Sequence, residues 1–95
     1  MLYNKEMQYE WDEGKRRRNI EKHGVDFTDI IHFQWDDALE AVDDRFDYGE
    51  KRINAVGFLG TRLVVVTYVE RGDVIRVISL RKATKTEERL YHEYS

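Results

Sequence analysis

Residues 52–81 read RINAVGFLGTRLVVVTYVERGDVIRVISLR, and the fold turns on this stretch. Three runs rich in β-branched and aromatic residues are separated by short turn signals. Gly60-Thr61 predicts a two-residue hairpin turn between RINAVGFL and RLVVVTYVE, and the RGD at 71–73 predicts a second reversal into VIRVISLR. Upstream, ALEAV predicts another strand and MQYEW a short first one, so up to four strands form a meander. The segments between are helical. Asp12 stands at an N-cap position and Gly24 where a helix stops in the left-handed conformation. Asp26 caps a second predicted helix, with Val25 and Ile30 at staple positions and Phe27, Ile30, Ile31 and Gln34 at helical spacing. Thr84-Lys85-Thr86-Glu87 has the capping-box pattern, which predicts a short C-terminal helix whose Leu90, Tyr91 and Tyr94 fold back onto the sheet. The expected class is α+β: a small antiparallel sheet, two N-terminal helices on one face and the short C-terminal helix. One face should stay partly uncovered, and a site is expected there.

Ninety-five residues suit a single domain, 1–95, with one modest core. The chain has no cysteine, which excludes a disulfide framework and a thiolate metal site. It has no apolar run of membrane-spanning length and no signal-peptide pattern, so a reducing cytoplasm is the expected location. Charge is divided unevenly. The formal net charge is −3, yet residues 51–95 are net basic and residues 1–50 net acidic. The stretch 36–50 sets seven acidic residues against Arg45 alone, while WDEGKRRRNIEKHGVDF at 11–27 gathers Lys15, Arg16, Arg17, Arg18 and Lys22. A polarised surface of this kind lets a basic region meet an anion despite the net charge.

Candidate chemistry is sparse. His23, His32 and His92 are scattered without metal-ligand spacing, so no zinc site is expected. His23, at the end of the basic helix, suits a proton carrier or a favourable partner of the helix dipole. Asp36, Asp37, Asp43, Asp44 and Asp47 crowd into one stretch rather than converging from separate elements, which fits a solvated acidic strip better than a magnesium centre. Ser79 and Thr67 have no His–Asp partnership. The strand arginines are more informative: Arg76 interrupts an apolar strand, Arg81 ends it, Arg71 lies in the preceding turn and Arg52 opens the first long strand. Such a cluster fits a phosphate ligand, because guanidinium groups bind the anion bidentately and offset charge developing on phosphorus. The competing reading pairs Arg76 with Asp73 or Glu50 as an anchor of the sheet. In a regular strand Arg76 and Arg81 point to opposite faces, and a bulge or strand end is needed to unite them.

Three stretches together resemble one family. WDEGKRRRNIEKHGVDF is similar to the W-D-x-x-K-x-x-x-N-x-x-K-H-G-V-x-F pattern of the BrnT family of bacterial toxins. DYGEKRINAVG resembles its G-E-x-R strand entry, and VVVTYVERGDVIRVISLRKATKTEERLY resembles its ending. The match covers residues 9–94 and departs from the pattern at Thr67-Tyr68, which reverses the usual order, and at Leu80, where alanine is common. The resemblance implies a RelE-like fold and a ribonuclease that stops translation by cutting RNA. Since no Cys, His or Asp grouping supplies a coordination sphere, that cleavage is expected to need neither metal nor cofactor. It further implies a BrnA-type antitoxin that neutralises the toxin by direct binding in a hetero-oligomer, DNA being reached only through that antitoxin. The motifs carry over Lys15, Asn19, Lys22, His23, Glu50, Arg52, Asp73, Arg76, Ser79, Arg81 and Tyr91. Arg76, Arg81, Arg71, Glu50, His23 and Tyr91 are the catalytic candidates; Lys15, Arg16, Lys22 and Arg52 are the RNA-binding ones. A related protein that binds without cutting remains the alternative, since arginine clusters serve both tasks.

Overall fold

The computed structural model describes residues 7–45 and 49–95. Asp47 and part of the turn expected at 47–50 lie outside the described residues. In chain order come β1 (Gln8–Glu10), α1 (Glu13–His23), a 3₁₀ helix (Phe27–His32), a 3₁₀ turn (Trp35–Asp37), β2 (Leu39–Asp43), β3 (Arg52–Leu59), β4 (Arg62–Arg71), β5 (Val74–Lys82) and α2 (Lys85–Tyr94). They build an α+β domain around one sheet of order β1-β5-β4-β3-β2. The antiparallel meander from β2 to β5 is as expected, with Gly60 at φ 66° in the two-residue turn. The sheet is nevertheless mixed, because β1 pairs parallel to β5, Glu10 opposite Arg76. No hairpin ties those two strands, so no turn imposes the antiparallel direction.

Both faces of the sheet are packed. On one, Ala55, Val64, Val66, Val77 and Leu80 receive Val25, Phe27, Ile30 and Phe33 from the segment after α1. Gly57 permits the close seating of Phe33: a Cβ there would lie 2.8 Å from the ring. On the other face, Leu63 and Val65 meet Tyr91 of α2, flanked by Leu39, Val56 and Phe58. The C-terminal helix thus covers the face opposite the Phe27–His32 segment.

The second predicted helix is a 3₁₀ helix instead of an α-helix. Its buried residues recur every third position (Phe27, Ile30, then Phe33), which matches three residues per turn. Ile31, assigned to the same apolar stripe on α-helical spacing, is 67% exposed. Helix α1 has its expected caps, Asp12 accepting from the Lys15 N–H and Gly24 at φ 70°. Its one buried residue is Asn19. The Asn19 Nδ2 donates to the carbonyls of Leu80 (2.7 Å) and Val25 (2.8 Å), and its Oδ1 accepts from the Leu80 N–H at 3.2 Å. Since β1 pairs β5 only over residues 74–76, this side chain bonds both polar groups of a residue on the edge that β1 leaves open. Among the described residues no helix is long and apolar enough to cross a membrane.

Candidate functional site

The site begins with a fault in the sheet. Pairing of β4 with β5 shifts between Thr67 and Tyr68: Thr67 faces Ser79, while Tyr68 faces Val77. Ile78 is therefore an extra residue, a bulge of the sort that re-aims side chains. Because of it Arg81, Ser79 and Arg76 oppose Val65, Thr67 and Val69 and share one face, where strict alternation would have separated the two arginines. Asn54 faces Thr67 on the adjoining strand. A polar row, Asn54–Thr67–Ser79, thus crosses three strands whose other residues are mostly apolar, and the Thr67 Oγ1 donates to the Asn54 Oδ1 at 2.6 Å.

That row floors a polar cleft of about 390 Å³, walled by Asp43, Asp44 and Arg45 on one side and by Arg81 and Glu87 on the other. The Asp43 carboxylate is buried and accepts two bonds from the Arg45 guanidinium, from Nε at 2.9 Å and from Nη2 at 3.0 Å, and one from the Arg45 backbone N–H at 3.4 Å. This pairing, above all, holds Asp43 below the usual carboxylate range. Across the cleft, Arg81 donates from Nη1 and Nη2 to the two oxygens of Glu87, each at 2.8 Å. Glu87 also accepts from the Thr84 N–H, completing the capping box of α2. Held chiefly by Arg81, Glu87 has its pKa lowered to about 2, so it is an anion that fixes Arg81 and a poor proton acceptor. Arg81 further donates from Nη1 to the Lys82 carbonyl at 3.3 Å. Of its five N–H groups, two remain for a ligand, including the Nε–H.

A second cavity of about 280 Å³ adjoins the first at Ser79 and is lined by Lys15, Arg18, Asn19, Lys22, His23 and Ile78. The His23 pKa is lowered, first by burial and then by the positive charges of Lys22 and Arg81. An apolar groove of about 220 Å³ borders the cleft on its other side, sharing Asn54 and Glu87 and walled by Leu39, Val56, Leu90 and Tyr94.

Other sequence candidates stand elsewhere. Arg76 pairs with Glu10 at 2.8 Å, not with Asp73 or Glu50, and Arg71 reaches Glu50 at 3.3 Å, so these form a separate ionic group where β1 meets β5. Arg16 grips Asp26 at 2.8 and 2.9 Å and also bonds Glu13, bracing α1 against the following loop instead of facing outward. Tyr91 is buried, and its hydroxyl donates to the Asp37 carbonyl at 3.0 Å, which gives it a structural task. Arg52 lies opposite Asp43 at the mouth of the β2–β3 pair. Among the described residues no three His, Cys, Asp or Glu side chains group as a metal would need. The acidic stretch, read in the sequence as a solvated strip, supplies one wall of the cleft through Asp43 and Asp44. Arg45, Asn54, Thr67 and Glu87 are not among the site residues expected from the sequence. The signal that could have found two of them is a lone polar residue within each apolar strand.

The comparisons bear on this geometry. The BrnT_toxin family, "Ribonuclease toxin, BrnT, of type II toxin-antitoxin system", matches residues 11–87, a span that includes the bulge and both walls of the cleft. The chain belongs to the BrnT family. It is also similar to the 1.1 Å crystal structure of the Brucella abortus ribonuclease toxin BrnT, at 32% identity and a TM-score of 0.63 over 83% of this chain and 99% of that one. No curated protein sequence matches the chain. As a BrnT ribonuclease toxin of a type II toxin–antitoxin system, the chain has a function into which a cleft of arginines and hydroxyls fits.

Proposed function

We propose that the cleft between Arg45 and Arg81 is the RNA-cleaving centre of this BrnT-family toxin and that it works without a metal ion. The observation that carries the reading is the polar row Asn54–Thr67–Ser79 across three strands, flanked by Arg45 after β2 and Arg81 on β5. RNA supplies its own nucleophile, the 2′-hydroxyl, so the protein needs only to orient the phosphate, offset its growing charge and move two protons. Arg81 offers its remaining N–H groups to the phosphate, where a fixed guanidinium stabilises the pentavalent state. His23, kept below the ordinary histidine pKa by burial and nearby cations, is neutral at pH 7 and takes the proton of the 2′-hydroxyl. Attack on phosphorus forms a 2′,3′-cyclic phosphate and expels the 5′-oxygen, which takes a proton from water as it leaves. Glu50 and Tyr91 have no part in this scheme, the first lying with Arg71 and the second in the core.

Cutting RNA in this way would halt translation. The antitoxin, of BrnA type, acts by direct binding: an apolar element seated in the groove beside Leu90 and Tyr94 places its neighbouring side chains at the mouth of the cleft. Repression of the operon belongs to DNA-binding parts of that antitoxin within a hetero-oligomer. Purified protein incubated with single-stranded RNA in excess chelator tests the centre. Cleavage should persist in EDTA and fall by at least about a hundredfold in Arg81→Ala, the loss typical of removing one transition-state donor. Activity lost to EDTA and restored by magnesium would defeat metal independence. An Arg81→Ala variant cutting like wild type would remove the cleft from the mechanism, and RNA bound but never cut would make the chain a binding module.

A further inference from the structure

The cations of this molecule are unequally satisfied. Arg16, Arg45, Arg71, Arg76 and Arg81 each hold a carboxylate at ion-pair distance. Lys15, Arg18 and Lys22, which line the cavity beside α1, form no ion pair among the described residues, although the chain carries more acidic than basic groups. They recur at i, i+3 and i+7, so one helix face presents all three. The face cannot turn away, because the buried Asn19 on the same helix is bonded to the backbone of Leu80. The Asp12 carboxylate, which could have served Arg18, is occupied by capping the Lys15 N–H at 2.9 Å. Like charges held together on a fixed face repel, and an anion between them relieves the repulsion. Position narrows the kind of anion. The cavity meets the cleft at Ser79, which lines both, and Arg81 is near enough to depress His23.

We infer that the α1 cavity is a second phosphate site, one that takes the backbone phosphate next to the phosphate held in the cleft. It rests on the reading of the cleft as an RNA site, and it gives Arg18, absent from the sequence candidates, the same task as Lys15 and Lys22. Two joined phosphate sites make the toxin a reader of short single-stranded RNA rather than of isolated nucleotides. The bound strand runs from α1 across Ser79 to Arg81, and Lys15, Arg18 and Lys22 are positioning residues for the cut.

The probe is a short single-stranded 2′-O-methyl RNA oligomer, which cannot be cut because its 2′-oxygens are blocked. Its affinity is measured over a range of salt for wild type and for the triple variant Lys15→Ala/Arg18→Ala/Lys22→Ala. All three side chains are exposed, so the variant should fold, and its melting temperature checks this. We expect weaker binding and a salt dependence whose slope is smaller by about 0.7, the value for one phosphate contact on a single strand. With cleavable substrates, wild type should cut a longer oligomer faster than a dinucleoside monophosphate, and that preference should shrink severalfold in the variant. Unchanged affinity and slope overturn the second site. So does a wild-type protein that ignores the oligomer but binds inorganic phosphate in the cavity, for the site would then serve a free anion. If the oligomer binds through these three residues and unmodified RNA is never cut, the nuclease reading fails and the second site stands.

Discussion

Asn19 shows how much can depend on one side chain. Its amide makes three bonds to the backbone, two of them to a residue sixty-one positions away, and joins α1 to β5. Replacing it with alanine strands buried polar groups of Leu80 and Val25, which should cost about 3 kcal/mol. For a domain of this size that lowers the melting temperature by more than about 10 °C, as calorimetry would show. Asn19→Ala melting within a few degrees of wild type would mean that the junction contributes little. In the sequence this asparagine was legible only through a family pattern. Its physical role depends on β1 being too short to cover the edge of β5, which no local propensity reveals. Arg16 shows the converse. It reads as part of a basic patch, but its partners Asp26 and Glu13 reveal a brace. Charge is visible in a sequence, whereas the carboxylate that consumes it is not.

Among the elements, the strands and both α-helices were legible because alternation, Gly60-Thr61 and the two capping patterns agree. The 3₁₀ helix and the Ile78 bulge were not. Six residues leave too little periodicity to separate three per turn from 3.6, and VIRVISLR alternates acceptably on either register. The two walls of the cleft come from the end of β2 and from β5 with α2, far apart in the chain, so they could not be joined beforehand. The placement of α2 depends on a charge. Glu87 has a pKa of about 2 against an ordinary 4.5, and Asp26, paired with Arg16, about 2 against 3.8. Both are lowered on folding, so the stabilisation they bring is fully present above their ordinary values. It drains away as pH falls through the folded ones. We therefore expect stability to decline between about pH 4.5 and pH 2 in wild type. Glu87→Gln retains a capping side chain but cannot titrate, so it should flatten part of that decline. Chemical denaturation across this range decides it: a Glu87→Gln variant with the full wild-type pH dependence would show that Arg81 does not hold the helix.

For the whole molecule the question is how a net-acidic protein meets RNA. The second half of the chain and α1 supply most of the cations, while Asp43 and Asp44 at the end of β2 wall the cleft and Glu40 lines the apolar groove. A toxin of this family comes with an antitoxin, so expression of the chain alone should arrest bacterial growth, and co-expression of the adjacent antitoxin gene should restore it. Hydrogen exchange on the free and bound toxin should then show protection at residues 36–44 and 85–94, around the groove. Protection confined to residues near Arg71 and Glu50 would put the antitoxin elsewhere. The parallel strand has one more consequence, and it concerns time. A polypeptide is made from its N-terminus onward, yet β1 has no partner until Val74–Arg76 exist, and Asn19 has none on β5 until Leu80 does. Neither β1 nor the bonds of Asn19 to Leu80 can be satisfied locally, and closing so long a loop is slow. While the ribosome is still synthesising this chain, the early segments are present but the cleft is not. If the cleft is the cutting centre, as proposed, the toxin is inert until its last strand docks, and until then the translation machinery makes a harmless thread.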